Sequence, residues 1–286
     1  MIYRRRSSPL HSARAGAGCA YCVALAIAAL TMSNPIALLG LILSVLGAGL
    51  AAGVGRQLGR AALLGVPVVA AIVLINVLVS RNGLTVIVRL GDLPILGHTD
   101  ITLEAAVYGA ILGLRAVALI LCGILYTLAV DPDEVLRLFR RVSFRSALSA
   151  TLATRMVPIL IRDGRRLAEA QRCRPGPPPS RLTLMRAACS GVLDRALDVA
   201  AALEVRGYGV ARRPPAYRAP YSRHDLEFMS STVAIVAVAI IARTSGLAAF
   251  TAYPSLHAAG WSAAAVAAAL LAAAWLPFAD RRGLRP

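Results

Sequence analysis

Apolar residues follow two rhythms along this chain. At 19–32, 36–53, 61–80, 103–130, 229–242 and 256–278 they run almost unbroken, whereas between 131 and 228 they recur only at three- and four-residue intervals. Unbroken runs near 20 residues predict helices that cross the hydrocarbon of a bilayer, and the spaced pattern predicts helices with a single apolar stripe. The pattern therefore describes an all-α polytopic membrane protein with about six transmembrane helices and long amphipathic ones. Its parts are an N-terminal set of about four spans at 1–130, an amphipathic segment at 131–228, and a C-terminal transmembrane hairpin with a basic tail at 229–286.

Turn residues punctuate the runs. Ser33-Asn34-Pro35 separates the first two and predicts a tight helical hairpin. A signal peptide competes for the same stretch, since Arg4, Arg5 and Arg6 precede a short apolar core with the small residues Ala26 and Ala28. The second apolar run follows at once, which favours the hairpin. Between 81 and 102, Asn82-Gly83, Gly91-Asp92, Pro94 and Gly97 predict a loop. The run at 103–130 exceeds the roughly 20 residues a span needs, so it is expected to tilt or to lie partly in the interface. Asp131-Pro132-Asp133-Glu134 opens a new helix, with proline and acids in its first turn. The run at 229–242 is short unless its helix starts earlier.

Two long amphipathic helices are expected at 145–174 and 181–206, about 45 and 39 Å long at ~1.5 Å per residue. Leu148, Leu152, Met156, Ile159, Leu160, Leu167 and Ala170 line one face of the first; Met185, Ala188, Val192, Leu193, Ala196, Ala200 and Leu203 line the second. Pro177-Pro178-Pro179 divides them. Each ends in an arginine with a stopper behind it, Cys173-Arg174-Pro175 and Val205-Arg206-Gly207. Proline cannot continue the hydrogen-bond ladder, and glycine adopts the left-handed conformation that closes a helix. One such end does no more than complement the helix dipole. Two, on successive helices, present a pair of guanidinium forks, each able to make several hydrogen bonds. Arg186 and Arg195, away from the tips, are expected to be bystanders.

Charge fixes the sidedness. The 286 residues are 58% hydrophobic with a net charge of +17, and all 31 basic residues are arginine. The segment 131–228 holds 18 of them. With six spans and the N-terminus inside, 27 arginines fall on one face and only Arg81, Arg89 and Arg243 on the other, with Arg115 inside a span. Arginine-rich loops stay in the cytoplasm, so both termini and the amphipathic segment are expected there, in a multi-pass protein of the plasma membrane. The basic excess is thus a topology signal and calls for no nucleic-acid partner; its natural surface partner is anionic membrane lipid. A chain without lysine also has no phosphate loop ending in Gly-Lys-Ser/Thr, so it does not bind ATP in that manner.

Three stretches carry a resemblance: Arg155-Met156-Val157-Pro158, the run from Ala170-Gln171 to Arg174, and Ala202-Leu203-Glu204-Val205-Arg206-Gly207-Tyr208. In order and spacing they resemble the transmembrane T component of energy-coupling factor (ECF) transporters, a family of cobalt-uptake permeases and vitamin-uptake subunits. The first motif departs from the commoner alanine-arginine-glycine form, with Cys173 and Pro175 around the arginine. The resemblance implies that 145–206 forms cytoplasmic coupling helices whose Arg174 and Arg206 dock into two ATP-binding cassette ATPases, as separate chains or one fused chain. It also implies a separate S-type membrane protein that captures a vitamin or transition-metal ion, no catalysis in this chain, and no cofactor.

Other residues suggest other chemistry. Pro254-Ser255-Leu256-His257 resembles a motif of membrane phosphatases of the phosphatidic-acid phosphatase type, in which two histidines cooperate. No histidine follows His257, and the lysine-bearing motif of that family is impossible here. A basic membrane anchor or scaffold accounts for the charge but not for the matched helix ends. Cys19 and Cys22 lack further ligands nearby, so the five cysteines are expected to pack as small apolar residues rather than hold a metal. Arg115, a charge near mid-span, calls for a partner or polar cavity, with Glu104 as a distant candidate or the substrate-binding subunit as the other.

Overall fold

The computed structural model describes residues 8–79, 86–93, 97–139, 144–173, 175, 180–207, 222–247, 250 and 260–279. The chain divides into two units, Met1–Val135 with Tyr221–Pro286, and Leu136–Pro220.

The first unit is a bundle of apolar helices. After a short α1 (Pro9–Ser12) come α2 (Ala15–Thr31), α3 (Pro35–Ala51), α4 (Gly55–Val79), a hairpin of β1 (Val86–Leu93) and β2 (Gly97–Thr102), and α5 (Leu103–Ala129). Among the described residues four helices are long and apolar enough to cross a membrane: α4, α5, and the later Arg223–Thr244 and Trp261–Phe278; α2 and α3 are shorter apolar helices. The expected break between the first two runs is present. The Asn34 side chain accepts from the Ile36 N–H at 3.0 Å, and Pro35 starts α3.

The expected loop at 81–102 is instead, over its described part, an antiparallel hairpin pairing Val86 with Thr102 and Leu93 with Gly97. The turn residues Gly91 and Asp92 fall within β1, where the register shifts between Arg89 and Asp92. Glycine and aspartate at a bulge read like a turn in sequence, because both mark departures from regular pairing. Apart from this hairpin the described fold is all-α.

Helix–helix contacts define levels along the bundle. A Cβ on Gly18 would lie 3.3 Å from Val130, and the Arg115 guanidinium donates to the Met32 carbonyl at 2.8 Å. So α2 runs alongside the second half of α5, and the α2–α3 turn stands only as high as the middle of α5. The twelve residues of α5 before Arg115 rise about 18 Å past that turn. They do so beside α4, where a Cβ on Gly113 would meet Val69 at 2.8 Å and one on Gly65 would meet Val117 at 2.8 Å. The unusual length of the fourth run is explained by this paired extension and its hairpin.

α9 (Arg223–Thr244) starts six residues earlier than its apolar run, which gives it the length of a span. Ser222 and Asp225 form a capping box, and Asp225 also accepts from the Arg14 N–H at 2.7 Å and pairs with the Arg14 guanidinium at 3.4 Å. α10 (Trp261–Trp275) leads into a 3-10 turn, Leu276–Phe278. The rest of its expected run, 256–259, lies outside the described residues. α3 lies close against it, for a Cβ on Gly40 would sit 2.6 Å from that of Ala267. Close approach through small residues is the membrane substitute for hydrophobic driving force. At one end of the bundle Tyr21, Phe228 and Phe278 meet edge to face, with centroids 5.3 to 6.4 Å apart, and the Tyr21 hydroxyl donates to the Ala274 carbonyl at 3.0 Å.

The second unit consists chiefly of two long helices, α7 (Phe144–Arg172) and α8 (Arg181–Val205), preceded by α6 (Pro132–Phe139). Ser180 caps α8 by accepting from the Thr183 N–H at 3.3 Å. Pro158 lies inside α7, where it removes the donor for the Thr154 carbonyl.

Candidate functional site

The end of α8 is built by three residues. Val205 is its last member and is 90% exposed. Arg206 occupies the C-cap, exposed, with its N–H on the Ala202 carbonyl at 3.3 Å. Gly207 then turns left-handed at φ 70°, and its N–H bonds the Glu204 carbonyl at 2.8 Å. These bonds use two carbonyls that a helix end otherwise leaves open. A Cβ on Gly207 would meet nothing within 4 Å, so glycine is required there by backbone conformation and not by space. An exposed guanidinium fork at the extremity of a rigid helix suits a partner pocket offering carboxylates or carbonyls.

The end of α7 comes sooner than expected. The helix stops at Arg172, two residues before Arg174, and Cys173 turns with its N–H on the Glu169 carbonyl at 3.3 Å. Helix ends fray and tighten in this way, especially ahead of a proline. Cys173 and Pro175 are exposed. Arg174 and Tyr208 lie outside the described residues. Of the supporting residues, Arg155, Pro158, Ala170 and Glu204 are exposed and Gln171 is half-buried.

The apolar stripes differ between the helices. On α7, Leu152, Met156, Ile159, Leu160 and Leu167 are half-buried, as the pattern requires, while Ala170 is exposed. On α8 only Ala188 and Leu203 of the expected stripe are half-buried; Met185, Val192, Leu193, Ala196 and Ala200 are exposed. Joining the two is an ion pair that the sequence did not announce: the Arg195 guanidinium donates to Asp163 at 2.7 Å. Arg195, expected only to lie away from the tips, thus has a partner on the neighbouring helix. Asp163 stands between Arg162 and Arg165, where an acid reads as local charge balance, and nothing in the sequence links it to Arg195.

Arg115 does not reach for Glu104, which is about 16 Å away along α5 at ~1.5 Å per residue. It satisfies the Met32 carbonyl at the end of α2. Cys22 and Cys122 are buried in the core as expected of packing residues, whereas Cys173 and Cys189 are exposed. Among the described residues no three His, Cys, Asp or Glu side chains come together as a metal site. Pro254, Ser255, Leu256 and His257 lie outside the described residues.

What this arrangement offers chemically is contact: two long helices carrying cations at exposed positions. A family model described as CbiQ, cobalt transport protein, matches residues 6–216, which takes in α1 to α8 and leaves α9 and α10 beyond it. A comparison with curated proteins gives no match. With most of its length inside that match, this multi-pass membrane protein belongs to the CbiQ cobalt transport protein family, the T component of ECF transporters.

Proposed function

We propose that this chain is the energy-coupling subunit of an ECF-type importer, with 131–228 as its cytoplasmic coupling segment. Arg174 and Arg206, within Cys173-Arg174-Pro175 and Val205-Arg206-Gly207, dock into two ATPase subunits. Closure of those ATPases on ATP moves the coupling helices, and the helices reorient a substrate-binding S-type membrane protein carrying cobalt or a comparable small cargo. The chain itself hydrolyses nothing and holds no cofactor. The observation that carries this reading is the exposed end of α8, where Gly207 stops the helix directly behind Arg206. Arg155, Pro158, Ala170, Gln171, Glu204 and Tyr208 support the tips.

The reading requires both termini and the coupling segment to face the cytoplasm, as the distribution of 27 arginines against three suggests. Single cysteines introduced at Ser7, Gly91 and Ser180, in a background without native cysteines, test this with an impermeant thiol reagent on intact cells. Gly91 is expected to label, and Ser7 and Ser180 to be protected. Labelling at Ser180 puts the segment on the wrong side for ATPases and ends the proposal.

A further inference from the structure

We propose that the Asp163–Arg195 ion pair is the pivot of the two coupling helices, fixing how α7 crosses α8 so that their tips move as one body; the proposal rests on the coupling reading above. The pair is short, 2.7 Å, and joins the two helices directly. Its placement along the sequence is regular: Asp163 precedes Arg174 by eleven residues, and Arg195 precedes Arg206 by the same eleven. On α8 the arm from Arg195 to the exposed Arg206 is about 16 Å at ~1.5 Å per residue.

Apolar contact beside the pair is partial: Leu160 and Leu167 on α7 and Val199 on α8 are half-buried. Gly164, next to Asp163, and Gly191, one turn before Arg195, each have open space where a side chain would be. Ile161, Leu193 and Leu197, which flank the pair in sequence, are more than half exposed. The one charge-assisted bond from Arg195 to Asp163 is short and directional, so it fixes the point at which the two helices meet, where loose apolar contact does not. Both side chains are about 40% exposed, so the pair adds little to stability and its loss leaves the helices folded. Asp163 and Arg195 are thus positioning residues for the docking arginines.

The test uses the full chain with its ATPases and S-type partner in proteoliposomes. Asp163→Asn and Arg195→Gln break the pair, while Asp163→Glu and Arg195→Lys keep it. The first readout is the distance distribution between spin labels at the exposed positions 169 and 201, in a cysteine-substituted chain first shown to co-purify ATPases at the parent level. Pair-breaking variants are expected to broaden it at least twofold, and pair-keeping variants to leave it as in the parent. The second readout is cobalt(II) taken up per ATP hydrolysed. It is expected to fall several-fold in the pair-breaking variants while ATPase co-purification stays at the parent level. An unchanged distribution, or equal damage from the pair-keeping variants, overturns the pivot. A broadened distribution with an unchanged uptake ratio overturns its role in coupling. A parent complex that hydrolyses ATP without any uptake counts against the transport reading alone, because the distance measurement judges the pivot without it.

Discussion

Replacing Gly207 by valine separates backbone geometry from contact at the end of α8. Nothing lies within 4 Å of the position a Cβ would take, so the new side chain meets no obstruction. The whole penalty is conformational. An L-residue held at φ 70° costs about 1 to 2 kcal/mol, at the upper end when β-branched. If ATPase docking needs the helix to stop behind Arg206, that penalty reappears as weaker binding, roughly 5- to 30-fold in Kd. Titrating the purified ATPases onto the chain in nanodiscs measures it. Gly207→Asn, which tolerates the left-handed region, is expected to stay within about threefold of the parent. Equal affinity for Gly207→Val and the parent refutes the reasoning, as does equal loss for Asn and Val, which points to something other than backbone strain.

Two further perturbations address the bundle. Gly40→Ala places a Cβ 2.6 Å from that of Ala267, so α3 and α10 must part; the expected loss is about 1 to 3 kcal/mol, read as a lower thermal midpoint in detergent. Gly123→Ala, with open space around it, serves as the control and is expected to leave the midpoint unchanged. Arg115→Met leaves the Met32 carbonyl without its donor and is expected to cost about 1 to 3 kcal/mol by the same assay; an unchanged midpoint contradicts the capping role.

The apolar helices were legible because unbroken apolar runs need no partner to be recognised: among the described residues six stand where six runs predicted them, four of them long enough to span. The bounds of α9 were less so, since its first turn, Arg223–Glu227, is polar and is held by the Ser222–Asp225 box and by Arg14, more than 200 residues away in the chain. The hairpin at Val86–Thr102 was missed because its bulge carries turn residues. Arg115 was legible as a charge needing a partner, but the partner is a backbone carbonyl at a helix end, and every residue has a carbonyl. At the tips, Gly207 was legible from type alone, because glycine after an arginine-ended helix has one common use. The Asp163–Arg195 pair was not, since a pairing between helices depends on how they cross, and periodicity within each helix carries no information on that.

The central claim is that two arginine tips, rather than a diffuse basic surface, hold the ATPases. It is tested most directly by co-purifying ATPases with Arg174→Ala, Arg206→Ala, the double variant and Arg186→Ala, each confirmed to insert in the membrane. An arginine filling a partner pocket typically contributes about 2 kcal/mol or more, and one that only complements a helix dipole about 1 kcal/mol or less. Each single tip variant is expected to lose most of the bound ATPase, the double variant to lose all of it, and Arg186→Ala to retain the parent amount. Equal loss from the tip and mid-helix changes contradicts two-point docking.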